Sequence, residues 1–587
     1  LREFYYRRAK RLLPAAYVVT LVTVVLAPLF LSAVAVAEMK ARVLGAVTFT
    51  ANLVLMRQSG YFDGAAETKP FLHFWSLALE EQYYLVVPVL LLVLGRRVRL
   101  AAVTAASVLS LALAVGLAST APDLAFYVLP TRAWELGAGS IVALVPIERL
   151  PAFVRRVAWL TAAVVILLVP TFPSGGPHPG LDALLVVLAT ALAVAGRTGP
   201  AIEASTVARS LARVGDISYS LYLTHWPAIV FTRAAWSDQP PAWALWTAVL
   251  VATIGSVLLY RFVEEPFRRG FLHQRRLLAG GLAVAAVVLA LLPGVTARAW
   301  ADDRDYTHVR RINYGLDRAC VFNERVPFTG ELPEACRTRE DAKVLIWGDS
   351  YAMAWASALK APLADVGLEQ ATRGACDPLL GMARFPPTPI GIYDRDYARG
   401  CIDIHRRILE YASRRDQLEI VILAGRFATI LSPNNLMLIE TPDGETERPT
   451  SIDLAAEGLA ALARALREAG KRVVLLAPPP ADGSDIGDCL ERRSGRRISF
   501  GPDRSCDLKR VEVDRVLEER RRMLALASEW SGVPVVDMTD FFCDDARCRT
   551  MIDGTFLYRD SGHLAYEGAE LIGERSDLAE RIMSMAR

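Results

Sequence analysis

The chain has 587 residues, long enough for several domains, and 53% of them are hydrophobic. Its net charge of +3 is small for this length, so charge gives no argument for a nucleic-acid partner and none is assigned. The averages hide a break near residue 296, with apolar blocks and short basic connectors before it and a soluble-type sequence of mixed charge after it, which excludes a single soluble domain.

The chain opens at Leu1 on LREFYYRRAKRLLPA, basic residues leading into an apolar helix with no visible signal peptide. This opening reads as the interior of a longer protein. Nine membrane spans are predicted, near 12–35, 75–95, 101–118, 131–147, 157–171, 181–196, 217–235, 243–261 and 277–296, several of them close to the lower limit for a bilayer helix. The shorter apolar stretch 43–56 is read as re-entrant or interfacial. With the first residues in the cytoplasm, the inner connectors collect Arg7, Arg8, Lys10 and Arg11, then Arg96, Arg97 and Arg99, then Arg149, Arg155 and Arg156, then Arg197, Arg209 and Arg213, and last Arg261, Arg268, Arg269, Arg275 and Arg276. The outer connectors 119–130, 172–180 and 236–242 hold no Lys or Arg. Nine spans from the inside deliver the C-terminal part to the outside.

Ionisable groups inside bilayer helices cost about 2.5–3.5 kcal/mol each on insertion scales, so they need a reason. They cluster here in HFWSLALEEQYY (His73, Glu80, Glu81), PTRAWELGAG (Arg132, Glu135), ISYSLYLTHWP (Ser218, Tyr219, His225) and YRFVEEPFRR (Glu264, Glu265). Interfacial anchoring and hydrogen bonding between helices account for the Tyr and Trp residues. They account less well for Glu80, Arg132 and His225, because an acid, a fixed cation and a His in one bundle suit an anionic ligand and a moving proton. Arg7, Arg8 and Arg11 stand at a cytoplasmic entrance, and Arg7 and Arg11 share one helix face at i and i+4. Topology alone would explain them; a clamp on the phosphates of a nucleotide cofactor would use the same spacing.

FYYRRAKRLLPA, HFWSLALEEQYY, TRAWELGAG, ISYSLYLTHWP and RFVEEPFRR, in this order over about residues 1–275, resemble the membrane acyltransferase-3 family, the O-acetylases of bacterial O-antigens and other envelope glycans. The resemblance implies a cytoplasmic acetyl-CoA donor, a glycan acceptor at or beyond the outer face, and a place in the bacterial inner membrane. It implies that Arg7, Arg8 and Arg11 face the donor, with Glu80, Arg132 and His225 in the transfer path. The family's two further upstream helices, the first carrying a catalytic His, do not precede Leu1, in keeping with a truncated opening.

Past residue 343, strand-like runs at 343–348, 419–425, 471–477 and 533–538 alternate with helical stretches near 353–364, 403–413, 452–469, 511–529 and 565–583. Such alternation predicts a parallel sheet with helices on both faces. Ligands in such sheets sit at the carboxyl ends of the strands, where KVLIWGDSYAMAW places Ser350. A serine nucleophile needs a base, and YRDSGHLAYEGA offers Asp560 and His563, three residues apart, near a helical turn after the last strand. A strand-ending GDS with a late Asp-x-x-His resembles SGNH-type esterases and acetyltransferases, a domain often fused behind acyltransferase-3 proteins. Oxyanion donors are expected from the backbone N–H of Ser350, from Gly374 in TRGACDP, and from Arg426 in VILAGRFA, where the SGNH pattern would have an Asn. The plainer accounts are an N-cap for Ser350, a helix-end His for His563 and a surface salt bridge for Arg426.

All eight cysteines lie in this second part, Cys320, Cys336, Cys376, Cys401, Cys489, Cys506, Cys543 and Cys548, which suggests disulfides between sequence neighbours in an oxidising compartment. Cys543, Cys548 and His563 make no recognised zinc spacing, and no metal is expected.

The sequence thus predicts a polytopic α-helical membrane domain over 1–296, a linker over 297–342 and a periplasmic α/β SGNH-like domain over 343–587. The expected function is transfer of acetyl from acetyl-CoA to an envelope glycan, finished by Ser350, His563 and Asp560. The alternatives are a membrane-anchored carbohydrate esterase and a small-anion transporter with a glycan-binding domain.

Overall fold

The computed structural model describes residues 1–58, 68–118, 120–145, 151–172, 179–196, 206–236, 240–269, 275–300, 304–323, 326–387, 393–432, 435–495, 497–500 and 505–586. Arg149, Arg197, residues 59–67 of the loop 36–74 and most of the outer connector 172–180 lie outside these residues. The chain divides into two compact units, Leu1–Ala301 with Arg497–Gly501, and Asp302–Arg496 with Pro502–Arg587.

The first unit is a multi-pass membrane domain. Among the described residues, five helices are long and apolar enough to cross a membrane: Arg2–Phe30, Phe74–Val93, Arg99–Leu117, Ala242–Arg269 and Arg276–Ala299. Helices Leu129–Leu144, Ala152–Thr171, Leu181–Gly196 and Thr206–Ala235 occupy the other four predicted spans. Large apolar side chains such as Val93, Leu109, Leu167 and Trp246 are at least 70% exposed, a pattern that suits lipid rather than water. The first predicted span ends early. Its helix stops at Phe30, and Ser32 caps a new helix, Ala33–Val47, by accepting the N–H of Ala35. The stretch 43–56 is therefore the end of that helix and most of a second one, Ala51–Arg57, broken at 48–50.

The core of the second unit is a five-stranded parallel sheet. Its strands are β1 (Val344–Gly348), β2 (Leu368–Thr372), β3 (Ile420–Ala424), β4 (Arg472–Leu476) and β5 (Val535–Val536), in spatial order β2-β1-β3-β4-β5. β1 and β3 are buried along their whole length, so they read in sequence as continuous apolar runs. β2 did not read as a strand because Glu369 and Gln370 stand in its middle, both fully buried. Each is satisfied locally. Glu369 pairs with Arg415 at 2.6 Å and accepts from Tyr411 at 2.8 Å, while Gln370 bonds the backbone of Tyr314 and Leu316. A second sheet, antiparallel and also absent from the sequence reading, joins Met382–Phe385, Leu436–Thr441 and Gly444–Pro449.

The stretch expected to be a linker, 297–342, behaves differently over its second half. Cys320, Phe322, Phe328, Leu332 and Cys336 belong to the same buried cluster as the sheet. Backbone bridges Val321–Thr372 and Arg337–Glu369 fix it along β2. Isolated apolar residues without a period look like linker in sequence, although each fills a gap beside the edge strand. Four disulfides join sequence neighbours, Cys320–Cys336, Cys376–Cys401, Cys489–Cys506 and Cys543–Cys548.

Candidate active site

Register brings the outer site together. Gly348, at the end of β1, lies level with Thr372 of β2 and with Ala424 of β3. The residues that follow these three strands, Ser350, Gly374 and Arg426, therefore emerge on one rim of the sheet. Gly348 permits this packing: a Cβ built there would come within 1.7 Å of the Ala424 carbonyl oxygen.

Ser350 opens the helix Ser350–Lys360 but does not cap it. Asp349 is the cap, accepting the N–H of Tyr351 at 2.7 Å, so the Ser350 hydroxyl is left for other work. Ser350 Oγ lies 2.8 Å from His563 Nε2, and His563 Nδ1 lies 2.9 Å from Asp560 Oδ2. Asp560 and His563 sit in a bend before the helix Tyr566–Arg575 rather than on a helical turn as the spacing suggested. Asp560 shapes that bend itself, accepting the backbone N–H groups of Gly562 and His563 through Oδ1. The Tyr351 ring lies against His563, centroids 4.6 Å apart and planes tilted by 43°.

Burial would raise the Asp560 carboxyl, but His563, Arg559 and the His563 N–H override it and hold it well below the usual carboxylate range. Burial pushes the His563 imidazole below its ordinary value, with Asp560 opposing the shift. The result is an ionised carboxylate behind a neutral imidazole that contacts a hydroxyl. This arrangement can take the hydroxyl proton and stabilise the imidazolium that results.

The oxyanion side departs from expectation in one respect. The Arg426 backbone N–H is committed to Asp349 Oδ2 at 2.9 Å, and the Phe427 N–H to Asp377 Oδ1 at 3.1 Å. From the same loop, the Arg426 guanidinium acts electrostatically on His563, Asp349 and Asp377. Burial, with Asp377 adding to it, pushes the Asp349 carboxyl above its ordinary value. Gly374 is held by its own carbonyl, which accepts from Tyr397, and by the Cys376–Cys401 disulfide two residues on. Sequence reasoning missed Asp349 and Asp377 as the supports of this rim. Asp349 lay inside the quoted GDS, where its role as cap was legible.

In the first unit, Arg8, Arg11, Glu80 and Arg132 line one cavity of about 580 Å³ together with Glu135, Tyr84, Tyr219 and Tyr222. Arg8 is fixed by Glu80 at 2.9 Å and Glu81 at 2.7 Å, and it lies over the Tyr84 ring. Arg132 pairs with Glu135 at 3.0 Å. Two predicted residues do not line this cavity. Arg7 is 74% exposed and pairs with Glu3, because one residue of offset turns it away from the face that Arg8 and Arg11 share. His225 bonds the Tyr222 carbonyl through Nδ1 at 2.7 Å and faces the buried His73, ring centroids 5.7 Å apart. Nearby, Ser220 Oγ donates to the buried Glu264 at 2.8 Å.

Comparison with known proteins matches the same two units. A family model described as an acyltransferase domain matches residues 1–261, and one described as an SGNH domain fused to AT3 domains matches 319–577. YrhL of Bacillus subtilis (strain 168) is 30% identical over 293 residues, covering 46% of this chain and 46% of its own. The peptidoglycan O-acetyltransferase OatA of Listeria monocytogenes is 29% identical over 300 residues, 46% of this chain and 47% of its own. The chain thus spans about half the length of the curated relatives it matches. The periplasmic domain of a lipopolysaccharide acetyltransferase from Salmonella ser. Paratyphi A is matched over 48% of this chain and 99% of that one, at 17% identity and a TM-score of 0.35.

Proposed function

The chain belongs to the acyltransferase-3 proteins that carry a fused SGNH domain, and on that premise we propose that it O-acetylates an envelope glycan. Acetyl comes from cytoplasmic acetyl-CoA, crosses the inner membrane through the first unit and reaches hydroxyls of lipopolysaccharide O-antigen, an exopolysaccharide or peptidoglycan on the periplasmic side. The observation that carries this reading is the hydrogen-bonded line Ser350–His563–Asp560, in one chain with a membrane cavity lined by cations.

The cavity volume falls within the range of about 300–1,000 Å³ usual for small-molecule sites. Arg8 and Arg11 provide positive charge suited to the phosphates of an acyl-CoA, with Arg8 pre-oriented by Glu80 and Glu81. Arg132, held by Glu135, is a second fixed cation in the path.

In the outer unit, His563 Nε2 takes the Ser350 proton as Oγ attacks the acetyl carbonyl carbon. The oxyanion is met by the backbone N–H groups of Ser350 and Gly374, with the Arg426 guanidinium as a cation beside them. Collapse breaks the bond to the donor's leaving atom, which takes the proton from His563. A glycan hydroxyl then gives its proton to His563 and attacks the acyl carbon, and Ser350 Oγ leaves and recovers that proton. Asp560 stays ionised throughout and holds Nδ1–H.

The test uses the source cell with the intact reading frame. Base-labile acetyl is measured on purified envelope glycans from wild type, a deletion strain and Ser350→Ala. Equal loss in both altered strains supports the reading, and the fraction that loses acetyl names the acceptor. A rise in acetyl on deletion supports the anchored esterase instead. No change in either strain rejects acetyl transfer through Ser350.

A further inference from the structure

Residues 304–311 lie in the stretch expected to be a linker, yet they are fixed along the segment that carries Asp560 and His563. Arg304 donates to the Gly554 carbonyl at 2.6 Å, and Tyr306 stacks on Phe556 with ring centroids 5.9 Å apart. Past the bend, Glu567 pairs with Arg311 at 2.6 Å. Arg310 stands between these contacts and reaches the bend itself.

The Arg310 side chain is 8% exposed and its guanidinium serves two elements. Nη1 meets the fully buried Glu491 at 2.8 Å and Nη2 reaches Asp485 at 3.4 Å. Asp485 caps the helix Ile486–Ser494, on which Glu491 stands. Nε donates to the Arg559 carbonyl at 2.8 Å. Arg310 thus bridges that helix to the peptide joining Arg559 to Asp560.

The bonds inside the bend give it a shape rather than a place. Asp560 accepts the N–H groups of Gly562 and His563, and the Arg559 N–H donates to the His563 carbonyl. From outside, Arg310 holds the Arg559 carbonyl, and Gly487 lies so near that a Cβ built there would come within 2.0 Å of the same oxygen. The Arg559 carbonyl carbon is bonded to the Asp560 nitrogen, so a shift at this oxygen moves the carboxylate that holds His563 Nδ1. A buried ion pair adds little net stability over an apolar pair of similar size. A rigid guanidinium fork instead fixes geometry, here toward two partners at once.

We propose that Arg310 is a positioning residue for the reaction at Ser350. By holding the Arg559 carbonyl to the helix Ile486–Ser494 it sets Asp560, and through Asp560 the His563 ring, in place against Ser350 Oγ. The inference rests on the Ser350 reading above.

The test uses the purified full chain in detergent. A fluorophosphonate, reacted to completion with the Ser350 hydroxyl, counts the folded sites. Turnover of 4-nitrophenyl acetate is then expressed as kcat per counted site, which a mere loss of folded protein leaves unchanged. Arg310→Met keeps the side-chain length without its donors. It is expected to lower kcat per site about ten- to a hundredfold, as a misplacement of about 1 Å costs, while KM changes less than about twofold. Arg310→Lys, which serves one partner at a time, should recover part of the loss. Gly487→Ala crowds the same carbonyl and alters no charge, so it should lower kcat per site in the same way. Arg310→Met with kcat per site within about twofold of the wild-type chain overturns the positioning role. So does Gly487→Ala at the wild-type value, since the Arg310 effect would then be one of charge alone. Ser350→Ala separates the two claims. If it is still labelled and still turns over the ester, the Ser350 reading fails and the positioning role with it. If both are lost while Arg310→Met stays at the wild-type value, only the positioning role fails.

Discussion

The Arg426 backbone N–H donates to Asp349 Oδ2 over 2.9 Å, and the other oxygen of the same carboxylate accepts the Tyr351 N–H at 2.7 Å. One buried side chain therefore ties the end of β3 to the start of the helix that carries Ser350. Asp349→Ala removes both bonds and leaves two N–H groups to find partners, at about 1–3 kcal/mol each where they stay buried. We expect a lower Tm and at least a tenfold loss of ester turnover, roughly what a displaced nucleophile costs. Thermal melts and kcat/KM with 4-nitrophenyl acetate check this. Asp349→Asn, which keeps one acceptor, should fall between the two.

The pH dependence follows from His563. The working form is the neutral imidazole, and burial has lowered its folded-state pKa from the ordinary 6.5. Activity is therefore retained below the pH at which a free imidazole would be half protonated, and is lost as pH falls through the lowered value. The acid limb of kcat/KM should have a midpoint below 6.5. Asp560→Asn removes a charge that raises the His563 pKa, so the limb moves further down while the plateau drops by about 10³–10⁴-fold. A limb that stays in place in this variant would show that another group titrates.

The Cys376–Cys401 disulfide holds the loop of Gly374 against the helix Arg395–Arg414. Replacing both cysteines by Ser opens a link across a sequence separation of 25, worth about 3 kcal/mol on the loop-entropy account. Stability should fall by about that much, measured by denaturant melts. If Gly374 serves the oxyanion, kcat should fall while KM for 4-nitrophenyl acetate changes little.

Arg7 and Arg8 are neighbours in sequence with opposite surroundings. Arg8 lines the cavity half-buried and paired with Glu80 and Glu81, and Arg7 is exposed. Arg8→Ala strands Glu80 and Glu81 and should lower acetyl-CoA-dependent acetylation in membranes by at least about tenfold. Arg7→Ala, an exposed pair worth about 0–1 kcal/mol, should change it less than about threefold. Glycan acetyl content in the two strains decides. Equal losses would place the donor elsewhere than this cavity.

Much of the fold was legible because its signals are local. Apolar runs of bilayer length, with Arg clustered in every second connector, marked the membrane part. β1 and β3, and β4 after its first residue Arg472, showed as apolar runs between helical patterns. β2 and the second half of the supposed linker did not show, because their polar or unpatterned residues become acceptable only beside particular partners, such as Arg415 and Tyr411 for Glu369. A buried ion pair costs too much desolvation to be inferred from one member alone.

The sequence by itself determined which residues are available for chemistry: a Ser at the end of a buried strand, a late Asp-x-x-His, and cations at the mouth of an apolar bundle. Only the tertiary structure decided which of them meet. Ser350 and His563 are 213 residues apart and come within 2.8 Å because parallel register aligns the strand ends and the bend at Asp560 turns the ring inward. The same step chose Arg8 over Arg7 and gave capping to Asp349. Local sequence fixes periodicity and turn chemistry through short-range backbone hydrogen bonding, whereas the direction and company of a side chain depend on packing between segments far apart in the chain.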